Sequence, residues 1–363
     1  MKQYLYISPI VLMLYLLSCK EHIKPEVQKE VPPKTTAKLQ LDPLTPPDPY
    51  FTGSKSIHST QGPKSITRNI LQDKNGKIWF GTWEGIMRYD GQSKNGKQAS
   101  FINLTNKLEL RPFRSFTILE DSQGHIWFGT IGAGIYKYDG ATFTNITTKD
   151  GLVNDRVVNL YEDRDGIIWI CTTDGLSRYD GRSFQNFTTA DGLTDNDVNS
   201  IIQDQAGSYW LGTRGAACVY DGKSFSKLTN DDESTFQNVR TIIEDSAGNI
   251  WLGGNDGLWQ YNSSPILRPD KFINYSTDFV GYIYEDTDGN IWTSSASGGG
   301  NSGFWKISKY DSHSLESGIK TSTKILEEEN MFFGITEDEE GGMWFGHLRG
   351  VCRYDGNLFD YFR

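Results

Sequence analysis

The sequence predicts an all-β chain: a seven-bladed β-propeller of four-stranded antiparallel blades, preceded by a signal peptide and a disordered tether. Three observations lead there. Tryptophans 79, 127, 169, 210, 251, 292 and 344 each follow an aspartate by six positions and a glycine by three, so one D-x-x-G-x-x-W phrase occurs seven times. A fixed period of this size is the mark of a repeat architecture. The 38 glycines are spread along the chain, as many short strands joined by turns require. With 10 Trp, 18 Tyr and 19 Phe the chain also has ample apolar surface to order itself.

The first segment, residues 1–18, reads as a lipoprotein signal peptide. Lys2 precedes the run "YLYISPIVLMLYLL", which is short for a bilayer span and suited to a signal-peptide core. It ends in "LLSC", which resembles the site at which a bacterial lipoprotein is cut before a lipid-modified cysteine, here Cys19. An ordinary signal peptide or a membrane anchor is the alternative. Residues 19–50 follow as a tether: positions 20–50 hold seven of the twelve prolines and almost no aromatic residue. Such a segment buries too little to offset its ordering entropy, and at roughly 3 Å per residue it reaches about 90 Å.

Residues 51–363 carry the repeats. In each unit an alternating run such as "VRTIIED" predicts a first strand, with the Asp capping the next turn and the Gly supplying positive φ. "NIWLGG" predicts the second strand, "GLWQY" the third, and "SFQNFTT" and its relatives the fourth. A single such sheet cannot cover both faces, so the units stack into a ring with the indoles as wedges between blades. At 150–250 Å² each, an indole is worth roughly 4–6 kcal/mol before entropy. The last unit ends in "LFDYFR", expected to complete its own blade with residues 51–62 packed beside it; the alternative gives that edge to the N-terminal segment. Cys171, Cys218 and Cys352 are expected as free thiols, because equivalent slots three blades apart exceed the roughly 7 Å Cα limit of a disulfide.

The phrases "EDSAGNIWLGG" and "DGLSRYDG" resemble the repeats of the two-component regulator propeller family over about residues 65–363. The resemblance implies the fold and a ligand- or partner-binding habit. Those repeats form extracytoplasmic sensor halves of hybrid histidine kinases, several of which sense glycan fragments. In this sequence no Ig-like module, second hydrophobic span or kinase region follows, so the resemblance does not extend to signal transduction and carries over no catalytic residue.

The net charge of -10 argues against nucleic acid, which needs a basic face. Binding is expected on the ring face that carries the second-to-third and blade-to-blade loops, since the D-x-x-G and Tyr-Asp-Gly turns opposite are uniform and tight. The candidates there are Trp83, Glu84, Asp174, Arg214, Asn255, Asp256, His347 and Arg349, with Arg111, Arg114, Arg156, Asp197, Phe236 and Arg240 from the blade-to-blade loops. Arginine, carboxylate, amide and aromatic groups around a funnel suit a small polar ligand such as a glycan, or a protein of the envelope. "SASGGGNSG" in the sixth unit is flexible enough for a lid, or is an inert loop.

No cofactor or metal site is expected. "DRDG" and "DTDG" lack the later glutamate of a calcium loop. Streptogramin-lyase-like proteins share the architecture and need a histidine with acidic, metal-associated partners. His347 is the one histidine at a suitable loop position, with no glutamate beside it in "FGHLRG". The expectation is therefore a non-catalytic binding module, lipid-anchored in the cell envelope at a Gram-negative outer membrane; a scaffold subunit or a lyase-like enzyme are the alternatives.

Overall fold

In the computed structural model the described residues are 56–92, 99–110, 113–262, 271–296 and 303–362. The signal peptide, Cys19, the tether and Arg111 lie outside them, as does most of the "SASGGGNSG" segment. No helix among the described residues is long and apolar enough to cross a membrane.

Seven antiparallel sheets follow one another, each ordered first to fourth strand; blade 2, for example, is Ser115–Glu120, Ile126–Thr130, Ile135–Tyr138 and Phe143–Ile146. The first strands are Thr67–Gln72, Ser115–Glu120, Val157–Glu162, Val198–Gln203, Thr241–Glu244, Val280–Glu285 and Phe332–Glu337. They touch one another in sequence around the ring, the first meeting the last, so they line the axis. Blade 7 completes itself with Phe359–Phe362, as expected. The N-terminal segment does more than pack beside it. Residues His58–Ser59 pair antiparallel with Ala99–Asn103 and give blade 1 a fifth, outermost strand. The backbone at Gly62 and Pro63 does lie against Phe362 and Gly350, bracing the last blade.

The seven indoles are 0–6% exposed, and each joins clusters that cross from one blade to the next. Trp344 meets Phe80 and Tyr89 of blade 1 at centroid distances of 5.6 and 5.3 Å, which closes the ring. The aspartate of each phrase has a larger role than a turn cap. In blade 1, Asp73 Oδ1 accepts the N–H groups of Asn75 and Lys77, both at 2.9 Å, while Oδ2 accepts the indole N–H of Trp79 at 2.7 Å. The indole bond recurs in all seven blades at 2.6–2.8 Å. One carboxylate thus satisfies a turn and the only polar atom of a buried indole, a pairing that burial makes obligatory. The phrase glycine has φ between 73° and 90° in every copy, the left-handed value the turn needs.

Two further devices join blades. On the turn face, the residue before the phrase aspartate in blades 2 to 7 accepts from the first turn residue of the preceding blade. Glu162 takes the N–H and hydroxyl of Ser122 at 2.6 and 2.7 Å, and Glu285 those of Ser246 at 2.8 and 2.7 Å. On the second strands, one small residue lets the next blade approach: a Cβ at Gly129 would sit 2.6 Å from Val157, and one at Gly346 would sit 2.3 Å from the Thr67 carbonyl oxygen. Ser294 takes this slot in blade 6 and donates to the Phe332 carbonyl at 2.8 Å. Cys171, Cys218 and Cys352 are buried free thiols, and burial pushes Cys171 and Cys218 well above the usual thiol range.

Candidate functional site

The second-to-third and blade-to-blade loops share one face. Trp83 N–H donates to the Ile66 carbonyl at 2.9 Å, Thr173 N–H to Arg156 O at 3.2 Å, and Arg214 N–H to Asp197 O at 2.8 Å. The face also carries the start of every first strand, and there the chain does something unexpected. In six blades the pairing of first and second strands slips by a residue just after it begins, at 67/69, 115/117, 157/159, 198/200, 280/282 and 332/335. In blade 5, Arg240 donates to Gly253 O at 2.7 Å while Thr241 pairs with the same glycine. Each blade therefore opens on a β-bulge, which re-aims one side chain. The bulged slots are Arg68, Phe116, Val158, Asn199, Arg240, Gly281 and Phe333.

Arg68 lies between rings of both neighbouring blades, its guanidinium carbon 4.1 Å from the Phe116 centroid and 4.4 Å from that of Phe333. Arg240 donates to Asn199 Oδ1 at 3.2 Å, and Asn199 to the Val239 carbonyl at 2.9 Å. Burial, with the Arg240 charge adding to it, pulls the Arg68 pKa down to about 9. Burial likewise lowers Arg240, with Asp197 opposing and Arg214 reinforcing the shift. One residue further along, Asn69 is hydrogen-bonded to Tyr282 of blade 6, whose phenol burial raises to about 12. Gly334 makes room, since a Cβ there would stand 2.9 Å from the Asn69 Cα.

Of the residues singled out from sequence, Arg240 faces this mouth and Arg214 reaches Asp197 at 3.5 Å while staying 72% exposed. Arg156, Asp174 and Arg349 are exposed on the same loops. Asn255 accepts from Asn238 Nδ2 at 2.9 Å and Asp256 from the Gln237 N–H at 2.6 Å, so both tie their loop to the blade-to-blade connection beside it. Trp83 is half-buried under the Arg114 guanidinium, 5.0 Å from its centroid, with its indole N–H buried and unpartnered. Glu84 is buried beside it; desolvation raises its carboxyl despite the Lys64 N–H at 3.4 Å.

Two expectations need correcting. Phe236 is a core residue, packed 4.9 Å from Phe272 and 5.5 Å from Trp259, because its loop folds back under blade 5. His347 is not on a loop: it ends the strand Met343–His347, buried, and a glutamate does stand beside it. Its Nε2 is 3.0 Å from Glu328 of blade 6, its Nδ1 accepts the Arg349 N–H at 3.1 Å, and Tyr361 donates to the other Glu328 oxygen. With both nitrogens engaged, the imidazole pins blades 6 and 7 together and has no lone pair left for a substrate proton. Sequence distance hid Glu328, which comes from another blade.

The sequence reading missed Arg68, Phe116, Asn199 and Phe333. Their signal was available: each bulged residue lies five positions before its phrase aspartate. Among the described residues no group of His, Cys, Asp and Glu is arranged to hold a metal. A separate cleft of about 320 Å³, lined by Asp121, Trp127, Lys137, Glu162 and Tyr179, opens between blades 2 and 3 on the turn side, away from these loops.

Comparison with known proteins gives the same architecture. The two component regulator propeller repeat matches residues 61–84, 112–132, 151–174, 192–215 and 234–256. No curated protein sequence matches. An extracellular domain ascribed to the hybrid two component system BT3049 of B. thetaiotaomicron is 26% identical, with a TM-score of 0.63 over 81% of this chain and 39% of that one. The chain thus spans about two fifths of that domain's length. Virginiamycin B lyase from Staphylococcus aureus (14% identical, TM-score 0.56, 80% and 94% covered) and PorZ of Porphyromonas gingivalis (14%, 0.54, 78% and 45%) share the fold alone. With seven copies of the phrase in seven blades and five of them matched outright, the chain carries two component regulator propeller repeats.

Proposed function

We propose that this chain is a non-catalytic, sensor-like binding module of a bacterial cell envelope, anchored through lipid on Cys19 at the outer membrane of a Gram-negative cell. Its loop face takes a small polar ligand, with glycan fragments the first class to test. The observation that carries the reading is the likeness to an extracellular domain of a two component system, combined with a loop face whose cations Arg68, Arg156, Arg240 and Arg349 have no carboxylate bonded to them among the described residues. Against the lyase alternative, the His347 ring is bonded on both sides.

The test is a thermal-shift screen of the chain against glycan fragments, since a ligand that binds only the folded state raises the midpoint by mass action. A saturable rise lost on changing Arg240 and Arg214 together supports binding on this face. Absence of any rise, with an envelope protein instead recovered by the wild type and lost by the same variant, replaces the ligand with a protein partner. Mass spectrometry of the mature N-terminus, against a Cys19→Ala control, tests the anchor separately.

A further inference from the structure

Arg68 is the one cation of the bulge ring held between two aromatic faces, and no described residue accepts a hydrogen bond from it. Arg68 is half-buried rather than sealed in the core. With the Phe116 and Phe333 rings within 4.4 Å of its central carbon, the guanidinium has its planar fork of N–H donors to offer a ligand. Burying an unpaired cation is costly and the ring could have placed any side chain in this slot, as Val158 and Gly281 show. A second cation, Arg240, occupies the equivalent slot of blade 5 and feels the Arg68 charge. Asp197, the carboxylate that acts on Arg240, already lies 3.5 Å from Arg214. A mouth of this composition, in a chain with net charge -10, is a local positive well.

We infer that the loop-side mouth of the axial channel is a carboxylate site, in which Arg68 grips the acid group edge-on between Phe116 and Phe333 and Arg240 supplies the second charge. A planar carboxylate meets the planar fork with both oxygens in its plane, which favours it over a tetrahedral sulfate or phosphate. Deepening the reading of the loop face as ligand-binding, this makes the preferred ligands acidic, such as a sugar ending in a uronate.

The experiment measures the thermal midpoint of the full-length chain in sodium glucuronate, its methyl ester, glucose, sodium sulfate and sodium chloride at matched ionic strength. The variants are Arg68→Met, which keeps an apolar stem between the rings, Arg68→Lys, which keeps only the charge, and Arg240→Gln. Glucuronate is expected to raise the wild-type midpoint above chloride, and its ester and glucose to do so far less. Apparent affinity should fall about tenfold or more in Arg68→Met and less in Arg240→Gln, with Arg68→Lys failing to restore it, as loss of a bidentate charged pair implies. Without ligand, Arg68→Met should melt higher than wild type; a purely structural stacking role predicts the reverse. Equal stabilisation of wild type and Arg68→Met by glucuronate, sulfate outperforming glucuronate, or no effect of any salt on the wild type would each overturn the inference. Glucose or another neutral sugar stabilising both proteins equally would leave the ligand-binding reading standing while removing the acid site. Arg68-dependent binding of glucuronate alone, with every neutral glycan inert, would do the opposite for the glycan class.

Discussion

The two faces of the ring use charge in opposite ways. On the turn face every phrase aspartate is bonded by turn N–H groups and an indole, and glutamates such as Glu162 and Glu285 bolt one blade to the one before. Hydrogen bonds from Trp127 and His125 outweigh burial at Asp121, and those from Arg353 and Trp344 do so at Asp338, so both carboxyls lie below the usual range. On the loop face the shifts run the other way: burial dominates at Arg68, Arg240 and Glu84, and each is held with its charged form disfavoured. One face closes its carboxylates with hydrogen bonds, while on the other Arg68 has no described hydrogen-bond acceptor and Arg240 meets an amide rather than a carboxylate. The proposed ligand site draws on that division, since incompletely paired buried charge persists where function offsets its cost.

The contrast can be broken most severely through the indoles. Trp251→Ala, at a fully buried wedge, should destabilise by about 3–5 kcal/mol in denaturant titration, far more than any loop-face change. Next comes the aspartate beneath it: Asp245→Ala removes the acceptor of the Trp251 indole and the Asn249 N–H, for about 1–3 kcal/mol. A loss as small as that of an exposed residue would mean the indole bond is incidental.

Acid separates the faces by sign. Asp121 and Asp338 have depressed folded-state pKa values, so the unfolded chain binds protons first, and their stabilisation is complete above the ordinary carboxylate range. It should drain away as pH falls through that range toward their folded values, and Asp338→Asn should flatten this part of the melting profile. Glu84 has a raised pKa, so its destabilising contribution is present at neutral pH and eases as pH falls through its folded value toward the ordinary range. Glu84→Gln should therefore raise the midpoint at neutral pH and have no benefit in acid. The smallest effect is expected at Arg214→Ala, whose exposed side chain should change stability by no more than about 0.5 kcal/mol while weakening ligand.

Much of this was readable because it is local. An aspartate, a glycine and a tryptophan at fixed offsets set a turn, a positive φ and a wedge within one hairpin, and repetition sevenfold leaves the ring as the way to cover every face. The loop face itself was legible from its variable phrases, and Arg240 and Arg214 were found there. Phe236 was misplaced because a loop's aromatic side chain does not announce which way its loop folds. Glu328 beside His347 and the His58–Ser59 strand on blade 1 were out of reach because each partner is drawn from another part of the chain.

The amino-acid sequence by itself determined the number of blades, the strand order within each and the identity of the wedges, since all three rest on hydrogen bonds and packing between near neighbours in the chain. Only the tertiary structure decided what stands at the axis. There, one bulge per blade points a single residue inward, and residues some fifty or more apart in sequence, such as Phe116, Arg68 and Phe333, become a stack because ring closure brings the first blade between the second and the last.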